Sequence, residues 1–167
     1  MGGKNKLPMK DLAALFEEAG CSDVRTYIQS GNVVFHASAA TAKRIPKMVQ
    51  AAIHDSFGLE VPVVLRDAKQ FLSVATKHPL AQAKDEPKIL SVGFLSAKPS
   101  KAGLDQLDPD RSPPDRFLVK GQDVFFRFPN GIARTKLTSQ YFDSRLKMVI
   151  TVRNWNSVQK IAGMLAE

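Results

Sequence analysis

Thr26-Tyr27-Ile28-Gln29-Ser30-Gly31-Asn32-Val33-Val34-Phe35 reads as two β-prone runs that meet in a turn. β-Branched and aromatic residues fill both arms, and such side chains suit the pleated, half-buried surface of a sheet. Gly31 reaches positive φ at no steric cost and Asn32 is the next most tolerant residue, so Gln29 to Asn32 form the tip of a tight hairpin. On both sides the pattern changes from period two to helical spacing. Upstream, Met9, Leu12, Leu15, Phe16 and Ala19 recur on one helical face, with Pro8 suited to a first turn and Gly20 closing the segment. Downstream, Ile45, Met48, Val49, Ala52, Ile53 and Phe57 mark a second helix, with Pro46 tolerated near its start and Gly58 at its end. Val61 to Arg66 follows as a strand, and Asp67 to about Lys77 as a short helix that stops ahead of Pro79.

Residues 81 to 87, Ala-Gln-Ala-Lys-Asp-Glu-Pro, are polar and mark the boundary between halves. The pattern then restarts. Lys88 to Leu95 reads as a strand, 99 to 107 as a short helix, and Arg116 to Val119 with Val124 to Phe128 as a hairpin. After an Asn130-Gly131 turn come a helix over Thr135 to Leu146 and a strand over Met148 to Val152. Asn154 then caps a helix carrying Trp155, Val158, Ile161, Ala162 and Leu165. The second half is βαββαβ plus a helix, the first αββαβ plus a helix. The expected fold is therefore α+β: two tandem ferredoxin-like halves with antiparallel sheets, over residues 1–80 and 88–167, packed as one compact unit. The first half lacks its opening strand. As pseudo-repeats, the halves bring the turn at Gln29 to Asn32 into correspondence with that at Lys120 to Asp123.

A chain of 167 residues with 44% apolar content can bury a real core. No apolar run approaches the roughly 20 residues that span a bilayer, and no secretory leader opens the sequence, so the expected location is the cytoplasm, with no membrane partner. Cys21 is the sole cysteine, which excludes an internal disulfide or a thiolate-rich metal site. The formal charge is +8, and between Arg127 and Lys160 seven cations face only Asp143, a local surplus of 7 − 1 = +6. That suits an anionic ligand or nucleic acid. Asp105, Asp108, Asp110 and Asp115 read instead as a solvated acidic loop.

The hairpin text, together with Gly2-Gly3-Lys4-Asn5-Lys6 and Arg153-Asn154-Trp155-Asn156, is similar to the signature of the domain of unknown function family numbered 1697. That resemblance implies no settled activity and no cofactor. It also implies an opening strand of the form Leu-Arg-Gly-Ile-Asn-Val just before the Gly-Gly-Lys-Asn text. Met1 stands where that valine is expected, as a start at an internal GTG codon would place it, so the resemblance implies a chain that begins one strand late.

Lys4 and Asn5 sit in a glycine-bearing loop ahead of a helix, where backbone N–H groups can cradle an anion, although the spacing is not that of a Walker loop and a plain turn explains it equally. Gln29, Ser30 and Asn32 offer neutral donors and acceptors at a hairpin tip, and turn chemistry alone also selects Ser, Gly and Asn. Lys136 is expected in the first turn of a helix, where a cation is disfavoured unless an anion is near. With Arg134 and Arg153 it forms the best set for phosphate or carboxylate; a solvated charged face is the competing explanation. Asn154 caps, and Trp155 stacks on a ring or fills core. His36, His54 and His78 lack metal-ligand spacing, and no nucleophile or acid–base constellation is visible. The βαββαβ plan is also that of RNA-recognition motifs, but Gln122-Asp123 interrupts the aromatic signature that Lys120-Gly121 begins. The leading reading is a non-enzymatic module for an anionic ligand or nucleic acid. A small-molecule enzyme or sensor with its pocket between the halves is the alternative, and a structural subunit of a hetero-oligomer is a third.

Overall fold

The computed structural model describes residues 8–27 and 31–166. It is an α+β structure whose described residues form two antiparallel sheets and six α-helices, and the chain divides into two compact units between Leu65 and Arg66. Residues 81–87 lie inside the second unit.

In the first unit, helix α1 (Met9–Glu18) leads into strands β1 (Ser22–Tyr27) and β2 (Asn32–His36), which pair antiparallel as the hairpin text requires. Gly31 has φ +79°. Helix α2 (Ala39–Phe57) starts earlier than its apolar pattern suggests, because Ser38 caps it by accepting from the Thr41 N–H at 3.2 Å. Pro46 consequently lies well inside the helix rather than near its start. Burial of Ile45, Val49 and Ile53 at i, i+4 and i+8 against Leu12, Phe16 and Cys21 holds the helix despite the lost N–H. The expected strand at Val61 to Arg66 is not formed: the segment joins neither sheet of the described residues. Val61 and Val63 pack on the core, and the Val63 N–H is satisfied by the Gln50 side chain at 2.7 Å instead of by a ladder.

The second unit begins with α3 (Ala68–Thr76), opened by a capping box in which Asp67 accepts from the Gln70 N–H and Gln70 from the Asp67 N–H. Then come β3 (Leu90–Leu95), α4 (Lys101–Asp105), β4 (Arg116–Lys120), β5 (Asp123–Arg127), α5 (Ser139–Leu146), β6 (Ile150–Asn154) and α6 (Trp155–Leu165). The sheet order is β4-β5-β3-β6, all neighbours antiparallel. Strand alternation divides the side chains between two faces. One face carries Leu95, Val124, Phe126 and Ile150 into a core with Phe142 and Leu146 of α5. The other carries Phe94, stacked on Phe71 of α3 at 5.4 Å, and Phe125, met edge-on by His78 at 5.2 Å. Both faces thus carry buried aromatic side chains, and β3 is buried along its whole length.

Arg127 fastens a loop to the second face. Arg127 grips Asp85 with two hydrogen bonds, Nε to Oδ2 at 2.9 Å and Nη2 to Oδ1 at 2.8 Å. The polar stretch around Asp85 is therefore anchored to β5 rather than acting as a free linker. This Arg127 contact, joined by the Gln82 N–H, holds the Asp85 carboxyl down at about 2. A carboxyl whose pKa is lower folded than unfolded stabilises the fold above the unfolded value of about 3.9 and loses that contribution as pH falls toward the folded value. Asp85→Asn should accordingly flatten the acid limb of the urea midpoint measured from pH 4 down to pH 2. An unchanged limb would show that the pair does not act on stability.

Candidate ligand-binding site

The C-terminal residues singled out in the sequence split between the two sheet faces. Val152 packs into the core beneath α5, so Arg153, its neighbour on β6, projects from the opposite face. Arg153 is half-buried, its Nη1 donates to the Val152 carbonyl at 3.0 Å, and burial pushes its pKa down. Asn154 is the N-cap of α6, accepting from the Ser157 N–H at 2.8 Å. Trp155 meets the His78 ring edge-on at 5.2 Å. His78 Nδ1 accepts from the Leu80 N–H at 3.2 Å, so Nε2 carries the proton and donates to the Ser91 carbonyl at 3.1 Å. Burial pushes its pKa below the usual histidine value. Trp155 and His78 thus pack on each other, and the exposed Asn154 caps the helix beside them. Asn154→Ala should cost about 1 kcal/mol of stability, the usual loss for a helix cap, while Asn154→Asp costs only a few tenths. Equal losses in chemical denaturation would refute the capping role.

Asn32, buried in β2, donates from Nδ2 to the Tyr27 carbonyl at 3.3 Å across the hairpin. Lys4, Asn5, Gln29 and Ser30 lie outside the described residues. Lys136 is not in the first turn of a helix: α5 starts at Ser139, capped by Thr138 through the Tyr141 N–H at 3.2 Å. The backbone at Lys136 is diverted before the helix begins. Its N–H donates to Ser112 Oγ at 3.0 Å, and its carbonyl accepts from Arg111 Nε at 2.8 Å. Arg111 is itself stacked 4.0 Å over the Tyr141 ring.

This loop walls a cleft of about 260 Å³. Phe126, Phe128 and Val152 form its floor, while Ile132, Thr135 and Ser139 stand at its sides. Ile132 is 56% exposed, an unusual position for a large apolar side chain, and Arg134 and Lys136 are exposed on the same loop. Thr135 and Thr138 use their oxygens to accept from the Leu137 and Tyr141 N–H groups, which leaves each hydroxyl proton to donate outward. A cleft with an apolar floor, hydroxyl donors and flanking cations can hold a small anion that carries an apolar part. Among the described residues, no three His, Cys, Asp or Glu side chains cluster as a metal site would need, and no helix is long and apolar enough to cross a membrane. Cys21 is buried in the first core, where burial pushes its thiol pKa up.

The sequence match extends well beyond the hairpin. The family described as protein of unknown function (DUF1697) matches residues 1–125. The chain belongs to that family. The matched DUF1697 region covers the first hairpin and runs into β5 of the second as far as Phe125, and the cleft loop and Arg153-Asn154-Trp155 lie past its end. A solved structure described as that of a conserved bacterial protein from Streptococcus pneumoniae is similar over 99% of this chain and 92% of that one, with 20% identity and a TM-score of 0.68. At that identity the likeness speaks to fold alone. No curated protein matches the chain.

Sequence reading missed Arg66, His78, Asp85, Asp123 and Arg127 as placed groups. For Asp123 and Arg127 the signal was present, since period two puts them on the same face as Phe125. For Asp85 there was none, because a polar loop does not announce its partner.

Proposed function

We propose that the chain is a non-enzymatic module that binds an anionic ligand in the cleft beside the start of α5. The observation that carries this reading is a cleft with an apolar floor and threonine hydroxyls, walled by a short loop that also exposes the cations Arg134 and Lys136. A nucleic acid is the less favoured anion. In an RNA-recognition motif, open sheet aromatics stack on bases. Here Phe94 is covered by Phe71 and Phe125 by His78, which closes that platform. The reading is supported further by Cys21 and His78: burial holds the Cys21 thiol in its protonated form, and both ring nitrogens of the buried His78 are engaged, by the Leu80 N–H and the Ser91 carbonyl.

A thermal-shift screen of phosphorylated and carboxylated small molecules, run beside short RNA and DNA oligomers, tests it. The expected hit raises the melting temperature progressively with concentration and loses its effect in the Arg134→Glu, Lys136→Glu double variant. No stabilisation by any anion at millimolar concentration would overturn the proposal. A hit confined to oligomers, weakening steeply with salt, would replace the small anion by nucleic acid.

We also infer that both units are variants of the ferredoxin-like plan. The β4-β5-β3-β6 order with βαββαβ connectivity supports this for the second unit, and the α1-β1-β2-α2 succession supports it for the first. A crystal structure in which the β1-β2 hairpin with α2 fails to superpose on the β4-β5 hairpin with α5 would refute it.

A further inference from the structure

Strand β4 is an edge strand, paired on one side only with β5. Which of its backbone groups face outward follows from the ladder. The Leu95 N–H donates to the Gln122 carbonyl and the Phe128 N–H to the Ile89 carbonyl, so the even-numbered residues of β5 bond to β3 and the odd-numbered ones to β4. Asp123, Phe125 and Arg127 therefore bond to Lys120, Leu118 and Arg116. The N–H and C=O groups of Phe117 and Val119 are left pointing away from the sheet along its free edge.

The side chains at this edge lack what usually balances them. Arg116, Leu118 and Lys120 share one face and all three are exposed, Leu118 at 41%. Arg116 stands directly across from Arg127, a like-charged neighbour, whose charge is taken up by Asp85. Lys120 stands across from Asp123, whose carboxylate lies 3.6 Å from Arg66. Around β4 and β5 on this face, four cations, Arg66, Arg116, Lys120 and Arg127, share two carboxylates, Asp85 and Asp123, leaving 4 − 2 = +2. Neither Arg116 nor Lys120 has an ion pair among the described residues. Cations alone on an edge discourage pairing, but an exposed leucine set between them does not.

We propose that β4 is a docking edge for an extended acidic segment of a partner protein, which adds as a fifth strand. The segment reads acidic-x-apolar-x-acidic: its two carboxylates meet Arg116 and Lys120, its apolar residue covers Leu118, and its two x residues exchange backbone hydrogen bonds with Phe117 and Val119. The segment adds antiparallel to β4, the direction in which directly opposite residues exchange both backbone hydrogen bonds. This partner goes beyond the cleft ligand and does not depend on it.

The test uses the whole chain and a labelled twelve-residue peptide with a central Glu-Thr-Leu-Thr-Glu, read by fluorescence anisotropy. Binding below about 1 mM is expected, with N-methylation of the two threonines weakening it at least about tenfold and N-methylation of the leucine leaving it unchanged. Both methylated peptides are measured on the unaltered protein, so folding of a variant does not enter. Arg116→Glu with Lys120→Glu should lose the acidic peptide and gain one with lysines in place of glutamates. No binding, or binding indifferent to which amide is methylated, overturns the proposal. So does an RNA oligomer that binds through Arg116 and Lys120 where the peptide does not.

Discussion

Arg66→Met is expected to cost about 3 kcal/mol of stability, seen as a lower urea midpoint with an unchanged slope. The Arg66 side chain is 7% exposed, and its Nη2 donates to two carbonyls, Leu95 at 2.9 Å and Gln122 at 2.8 Å. Its guanidinium also lies 5.6 Å over the Phe94 ring, with Nε 3.6 Å from Asp123 Oδ1. Methionine keeps most of the apolar bulk, so the loss isolates the polar contacts. It removes a donor from the Leu95 carbonyl, leaves the Gln122 carbonyl with only the Leu95 N–H, and strands a carboxylate that burial already pushes toward its neutral form, against the pull of Arg66. Two further results separate these contributions. Asp123→Asn alone should cost under about 1 kcal/mol, because relief from burying a carboxylate offsets the lost attraction. In the Arg66→Met background the same change should recover part of the loss. Sign follows from the raised Asp123 pKa. Its contribution is present below the unfolded value of about 3.9 and is lost as pH rises through the folded value, so the Arg66→Met penalty is smaller at pH 4 than at pH 7. A penalty below about 1 kcal/mol, or one insensitive to pH, would show that Arg66 is not the anchor of this corner.

What the sequence reveals and conceals here has a common cause. Period and turn chemistry are local, so both hairpins, the Asn154 cap and the apolar faces of α1 and α6 are legible from neighbours a few residues apart. Helix starts are set by one polar side chain. Ser38 and Thr138 moved α2 and α5 away from positions that apolar spacing suggests, and the second shift removed Lys136 from a first helical turn. Ladder partners and ion pairs are long-range. Nothing within a few residues of Val61 shows that its segment pairs with no strand among the described residues, and nothing near Asp85 points 42 residues ahead to Arg127. The set of Arg134, Lys136 and Arg153 divided for a simpler reason: a strand reverses face at every residue, and one sequence gave no way to choose the face of Arg153 before Val152 was placed.

Gly93→Ala should destabilise the chain by about 1 to 3 kcal/mol, although it adds a single methyl group to a strand that would otherwise favour one. Gly93 lies in the middle of β3, flanked by Val124 on β5 and Val152 on β6. A Cβ there would stand 2.5 Å from Ile150 Cδ1, 3.0 Å from its Cγ1 and 3.1 Å from the Phe126 ring. Ile150 is 4% exposed and Phe126 1%, so neither can retreat into solvent. Removing the nearest atom provides the control. Ile150→Val deletes Cδ1 and by itself costs about 0.5 to 1.5 kcal/mol through the space it leaves. In the Gly93→Ala background that space is filled, so the double variant should lose less than the two single losses combined, by about 1 kcal/mol. Strict additivity would mean that the strand, not the side chains, absorbs the methyl group. Phe126 links this packing to the cleft, because it contributes to the floor while its ring stacks on Phe128 and meets Phe142 in a T-shaped contact, each at 5.3 Å. A ring displaced by the new methyl alters the floor, so Gly93→Ala should also weaken stabilisation by an anionic ligand, and Ile150→Val should restore it. Loss of ligand stabilisation in the double variant would break the proposed connection between β3 packing and the cleft.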